Sequence, residues 1–290
     1  MKAIALFLIL YLLIAVSLNA ESTSHESTYF QNYQYNEFGL RKIDPLLNNQ
    51  NAHLFIVLAG DSNVFGDGLP DDKTLPVLLS KLKRNYNVYN FGLRGGGPHD
   101  SLYFFKEHDF KKIVKEDNGI YIYNFYPFLF ERVIGSKNYL KWCKRNSPYY
   151  YLEDHDQLKY GGNFNDRFFI TSFYQFINRH KWLDYFIPKL PQIHRWHIKL
   201  TAVIFHEMQS QFIKLYPKGK FLVVVNNSYS DNPMYIWQNK QLEIYLKELK
   251  VDYRVVPIVN DFQKKYLFND GHINEAGQVI ESQAISSFIN

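Results

Sequence analysis

Gly60-Asp61-Ser62-Asn63 directly follows the apolar run Leu54-Phe55-Ile56-Val57-Leu58-Ala59, and Asp270-Gly271-His272 lies near the other end of the chain. A serine hydroxyl is a poor nucleophile until a base takes its proton. An unperturbed imidazole titrates near about pH 6.5 and accepts that proton at neutral pH. Ser62 is therefore the candidate nucleophile and His272 the candidate base. Asp270 is the carboxylate that fixes the imidazole's tautomer and stabilises the imidazolium. The three need only meet in space, because such triads occur in several chain orders. Attack on a carbonyl also requires donors for the developing oxyanion. The backbone N–H groups of Ser62 and of the Gly95-Gly96-Gly97 loop can supply them, and the Asn124 side-chain amide is a third candidate.

For these residues to meet, each must sit at the carboxyl end of a strand in one sheet, where open α/β sheets bind their ligands. The pattern predicts this. Short β-rich apolar runs at Leu54–Ala59, Tyr86–Phe91, Gly119–Phe125, Phe221–Val225 and Tyr253–Ile258 read as five strands. Helical spacing of apolar residues predicts helices over Thr74–Arg84, about Asp100–Val114, His194–Tyr216, Tyr235–Leu249 and Asn274–Ile289. Strands alternating with helices imply an α/β chain, a mostly parallel, doubly wound sheet covered on both faces. The aromatic-rich stretch from Tyr126 to Leu190 breaks this rhythm and reads as an insertion over the sheet's edge, with Tyr160-Gly161-Gly162-Asn163 marking a loop. Each motif also has a purely structural use. Asp61-Ser62-Asn63 is good helix-capping chemistry, the glycine loop makes a tight connection, and Asp270-Gly271 makes a turn with Asn274 capping the last helix.

Residues 1–20 have the form of a cleavable secretory leader: Lys2, then an uncharged apolar run from Ala3 to Val16, then small residues at Ala15-Val16-Ser17 or Leu18-Asn19-Ala20. The run is shorter than the roughly 20 apolar residues a spanning helix needs, so no stable membrane anchor is expected after cleavage. Export to the periplasm or the exterior follows from this reading. Residues 21–51 are polar and read as a linker or a loosely docked arm, leaving 52–290 as the folded domain. Cys143 is the only cysteine, which excludes an intramolecular disulfide, and its amphipathic surroundings argue against a nucleophilic role. Lysines and arginines are scattered and the formal charge is only +5, so no nucleic-acid footprint is present. The 23 Tyr and 24 Phe are read as core packing and compositional bias rather than as platforms for sugars or acyl chains. His194, His197, His206 and Glu207, and the cluster Glu153-Asp154-His155-Asp156, carry no metal-binding signature, and no metal is expected.

The chain resembles the SGNH, or GDSL-type, hydrolases, whose sequence blocks are short and dispersed. Ala59-Gly60-Asp61-Ser62-Asn63 matches the first block, which carries the nucleophile. Asn90-Phe91-Gly92-Leu93-Arg94-Gly95 resembles the second, which makes Gly95 an oxyanion donor, and Asp270-Gly271-His272-Ile273-Asn274 resembles the fifth, which carries the base. The resemblance runs from about Leu54 to the end, insertion excepted. It implies a flavodoxin-like α/β/α sandwich that hydrolyses small-molecule, lipid or carbohydrate esters through an acyl-enzyme, without a cofactor. There are two departures. The third block, usually Gly-x-Asn-Asp, is Tyr123-Asn124-Phe125-Tyr126 and keeps only the asparagine; the usual acid position, three before the histidine, is Asn269, with Asp270 two before. Acyl transfer to a carbohydrate acceptor by the same triad, and a carbohydrate-binding relative that has lost catalysis, are the alternative expectations.

Overall fold

The computed structural model describes residues 33–42, 52–142, 146–227 and 232–289; the expected leader, most of the polar linker and Cys143 lie outside them. Five strands form one wholly parallel sheet: β1 (Leu54–Gly60), β2 (Tyr86–Gly92), β3 (Asn118–Phe125), and, after the insertion, Lys220–Asn226 and Tyr253–Val256. The hairpin within the insertion supplies β4 (Pro148–Glu153) and β5 (Gln157–Asn163), so the last two sheet strands are β6 and β7. Their spatial order is β2-β1-β3-β6-β7. The chain steps outward from β1 to β2 and then returns across β1 to β3, so the topological switch point falls at the carboxyl ends of β1 and β3. Ser62 lies two residues beyond the end of β1, at that point.

Principal helices cover both faces. On one side α1 (Leu75–Leu82) packs against the closing helix Glu275–Ser287, over Ile56, Leu58, Ile120, Ile122 and Val224. On the other, α2 (Pro98–Glu107), Arg195–Leu215 and Pro233–Glu248 cover Phe55, Val57, Tyr121, Tyr123 and Phe125. Alternate residues of each strand thus serve opposite layers, as the period of two demands. The helix expected as one piece from Asp100 is broken after Glu107. Asp109 caps a separate turn, Phe110–Ile113, by accepting the Lys111 N–H, a local bond that competes with helix continuation.

The described residues of the insertion form regular elements. They include the turn Leu129–Val133, then α3 (Lys137–Trp142), the β4–β5 hairpin, α4 (Phe168–Arg179) and α5 (Lys181–Phe186). Tyr160-Gly161-Gly162-Asn163, expected as a loop, forms the second half of β5. Tyr160 pairs with Tyr150 and Asn163 with Pro148, so cross-strand pairing prevails over the glycines' preference for turns. Residues 33–42 form a small hairpin closed by a Tyr35–Arg41 bridge. Arg41 is buried there and donates to the carbonyls of Phe65, Gly66 and Leu69 and to Asp71, so this part of the segment is docked against the chain that follows Ser62.

Candidate active site

The serine stands on a sharp turn from β1 into the short helix Ser62–Phe65. Asp61, the N-cap, is fully buried; its carboxylate accepts the Asn63 N–H at 3.0 Å. This satisfies one of the orphan donors at the helix start. The turn lies tight against β2: a side chain on Gly92 would put its Cβ 2.1 Å from the Phe65 nitrogen. Only glycine permits that approach.

The histidine arrives on a five-residue hairpin. Phe268 N–H donates to the His272 carbonyl at 2.7 Å, Gly271 N–H donates to the Phe268 carbonyl at 3.0 Å, and Leu267 bridges Ile273. Gly271 has φ +89°, a left-handed conformation that a β-carbon disfavours. This turn is what brings a carboxylate two positions before the histidine into reach. Asp270 Oδ1 accepts the His272 backbone N–H at 3.0 Å, and its Oδ2 lies 3.1 Å from His272 Nδ1. Asn269, at the position where the resemblance puts the acid, is exposed. On the other side of the ring, His272 Nε2 lies 3.0 Å from Ser62 Oγ. Partial burial works against ionisation of Asp270, but the bonds from the His272 backbone and ring outweigh it and hold the carboxyl below its ordinary range. An ionised Asp270 accepts a hydrogen bond from Nδ1–H, which fixes the tautomer and leaves Nε2 free to accept from the serine.

Four side chains that the sequence leaves without a role hold these pieces in register. Asn63 Oδ1 accepts the Ile273 N–H at 3.1 Å, and Gln278 donates to the Asn63 carbonyl at 3.0 Å, pinning the histidine hairpin to the serine turn. Arg132, from the insertion, spans the other gap. Its Nη2 is 3.3 Å from Asp61 Oδ2 and its Nη1 donates to the Gly96 carbonyl at 2.7 Å, joining the serine turn to the glycine loop. Asp67 is the fourth: it sits 3.9 Å from His272 Nε2 and is held by Arg94 at 2.8 Å and by the Tyr33 hydroxyl at 3.0 Å. Nothing in the spacing of Arg132 marks it; the only signal is an arginine soon after the β3 strand.

The N–H groups of Ser62 and Gly95 donate to no acceptor among the described residues, which leaves both open to an incoming oxygen. The Gly95 carbonyl accepts from Tyr139, and Trp142 stands against its α-carbon, so α3 presses on the glycine loop. The third expected donor, Asn124, is not part of this arrangement. It is fully buried, and its amide donates to the Tyr126 hydroxyl at 2.9 Å and to Glu281 at 3.2 Å. Alternation along β3 explains this. Asn124 shares the face of Ile120 and Ile122, under the closing helix that carries Glu281. Glu281 also accepts from Tyr126 at 2.6 Å and Asn226 at 2.9 Å. Burial nevertheless pushes its carboxyl up to about 7.

Of the residues weighed for metal binding, three are engaged elsewhere through their side chains. His197 Nδ1 accepts the His194 N–H at 3.0 Å, Glu153 pairs with Lys159 at 3.4 Å, and Asp156 pairs with Lys199 at 2.6 Å.

The structural neighbours are GDSL-type lipolytic proteins, TesA and carbohydrate esterases. A lipolytic protein of the G-D-S-L family from Desulfitobacterium hafniense is 14% identical, with 81% of this chain and 98% of that one covered and a TM-score of 0.40. TesA is 13% identical over 80% of this chain and 97% of its own, with a TM-score of 0.45. The acetyl xylan esterase Est2A from Butyrivibrio proteoclasticus is 11% identical, with coverage of 83% and 65% and a TM-score of 0.45. At these identities the likeness is one of chain path. No family model matches the chain, and no curated protein sequence does.

Proposed function

We propose that the protein is a serine ester hydrolase that works through an acyl-enzyme on Ser62. The observation that carries this reading is the continuous line Ser62 Oγ–His272 Nε2 at 3.0 Å and His272 Nδ1–Asp270 Oδ2 at 3.1 Å. Ser62 Oγ attacks the ester carbonyl carbon while its proton passes to His272 Nε2. The imidazolium is stabilised by Asp270. The carbonyl oxygen becomes an oxyanion held by the Ser62 and Gly95 N–H groups. Collapse breaks the bond to the alcohol, which leaves with the proton from Nε2. Water, deprotonated by the same nitrogen, then attacks the acyl-enzyme; the acid departs and Ser62 regains its proton. A ready-paired serine and imidazole argue against a purely binding role. The apolar Ala3–Val16 run supports an exported enzyme.

A fluorophosphonate probe tests the assignment directly. The expected result is a single covalent adduct on the peptide carrying Ser62, formed together with loss of p-nitrophenyl acetate hydrolysis. An unlabelled Ser62 in folded wild-type protein overturns it.

A further inference from the structure

The insertion carries a second feature that the ester chemistry does not use. In α4, Thr171, Tyr174 and Ile177 face inward, and Asn178 donates to the Lys137 carbonyl at 2.9 Å. Phe169, Phe173 and Phe176 recur at i, i+4 and i+7 and lie on the opposite side of the helix. In α5, Asp184 faces inward, pairing with Lys137 and, at 2.8 Å, with Lys141. Trp182 and Phe186, four residues apart, point the other way, with Tyr185 beside them. Both helices are thus tied by their inner faces to the same residue, Lys137, and both turn aromatic faces away from it.

These side chains stand proud of the surface. Phe169 is 86% exposed, Tyr185 80%, Phe186 74% and Trp182 63%. A soluble helix normally puts polar residues there, and clustered exposed apolar area marks an interaction surface. The sequence that carries it is rich in cations. Between Phe168 and Arg195 the cations are Arg179, Lys181, Lys189 and Arg195, and the one acid, Asp184, has both oxygens engaged by lysines. Protruding Phe and Trp with Tyr at the margin and lysines alongside fit the interface of an anionic bilayer, where amphipathic rings sit at headgroup level and cations meet lipid phosphates. Among the described residues no helix is long and apolar enough to cross a membrane. We propose that the outer face of α4 and α5 docks peripherally on an anionic lipid bilayer. This docking does not depend on the hydrolase reading.

The test uses the full chain with vesicles of phosphatidylglycerol or phosphatidylcholine, each doped with lipid brominated on its acyl chains. Expected is quenching of tryptophan emission by the phosphatidylglycerol vesicles, with the larger part of it lost in Trp182→Phe. The triple variant Phe169→Ser, Tyr185→Ser, Phe186→Ser should lower the apparent vesicle affinity at least tenfold with an unchanged circular dichroism spectrum and melting temperature. Lys181→Gln with Lys189→Gln should lower it about threefold at low salt. The proposal is overturned if wild type does not bind, or if the triple variant binds as wild type does, the N-terminal apolar run then doing the holding. It is equally overturned if quenching survives Trp182→Phe intact, or if the triple variant abolishes a lipid-independent dimer, which would make this face a contact between two copies.

Discussion

The rim of the five-stranded sheet and the insertion contribute to the candidate site by different physical means. The rim presents its groups through backbone turns of a few residues: Asp61 caps the helix start under Ser62, and a left-handed Gly271 brings Asp270 under its own histidine. Each of these contacts spans one or two positions in sequence. The insertion presents nothing that reacts. It works at a distance, through long side chains: Arg132 reaches Asp61 and Gly96, Tyr139 reaches the Gly95 carbonyl, and Trp142 backs the same loop. Ser62 and the His272–Asp270 pair are oriented by local turn geometry, whereas the Gly95 loop is held by side chains that reach it from the insertion.

The comparison breaks first if the rim does not contain the reacting atoms. Ser62→Ala and His272→Ala should each lower kcat on p-nitrophenyl acetate by about 10⁶-fold, the scale documented for such groups in serine hydrolases. The melting temperature should change little, because Ser62 and His272 contribute one bond to each other and neither fills a core position. Wild-type turnover in either variant removes the rim from the chemistry.

The next effect discriminates between two carboxylates. Asp270 meets Nδ1, and Asp67 lies 3.9 Å from Nε2 beside Arg94. Asp270→Asn should cost about 10⁴ in kcat, through loss of tautomer control and of imidazolium stabilisation. Asp67→Asn should cost less than about tenfold. If the order is reversed, the orienting acid comes from the serine side of the cleft and the two-residue spacing is incidental.

The same contrast explains what was legible beforehand. All five sheet strands, and the Gly60–Asn63 and Asp270–His272 segments taken singly, lie within short windows whose periodicity or turn chemistry is self-contained. A residue's type does not say which face of a strand it occupies, so type alone puts Asn124 among the oxyanion donors, whereas its alternation with Ile120 and Ile122 puts it under the closing helix. Arg132 and Asp67 were not visible because their partners are distant in sequence, and reach through space leaves no local pattern. In the insertion, Tyr160-Gly161-Gly162-Asn163 looked like a loop because glycines are read as breakers, and only pairing with Pro148–Glu153 makes it a strand. Core packing accounts for Tyr121, Tyr123 and Tyr216, all buried, but not for the exposed rings of α4 and α5.

Arg132 sharpens the comparison at the joint between the two regions. Arg132→Met keeps an apolar stem of similar length but removes both polar contacts, along with the guanidinium's placement over Phe128 and Trp142. Losing one oxyanion donor outright costs about 10²–10³ in kcat. Loosening the Gly95 loop should cost somewhat less, about 10²-fold, with KM within a few-fold and with Ser62 still labelled by fluorophosphonate. An equal loss in kcat/KM carried wholly by KM would make Arg132 a substrate-binding group rather than a positioning one.

The smallest effect concerns the rim's buried support. Glu281 lies under the ends of β3 and β6, bonded to Asn124, Tyr126 and Asn226, and its carboxyl is pushed up to about 7 by burial. The folded state therefore binds a proton that the unfolded chain releases at its ordinary carboxylate value. The stability this gives is complete below that unfolded value and is lost as pH rises towards 7, because the folded state binds more protons than the unfolded one throughout that window. The change is on the order of 3 kcal/mol. Glu281→Gln removes the titration while keeping the shape. Its melting temperature relative to wild type should rise steadily between about pH 4.5 and 7 and then level off. The slope is the readout, since the amide also alters the hydrogen bonds to Tyr126 and Asn226 by a pH-independent amount. A difference that stays flat across the window would mean that Glu281 is already ionised in the fold, and that its three donors outweigh the cost of burying its charge.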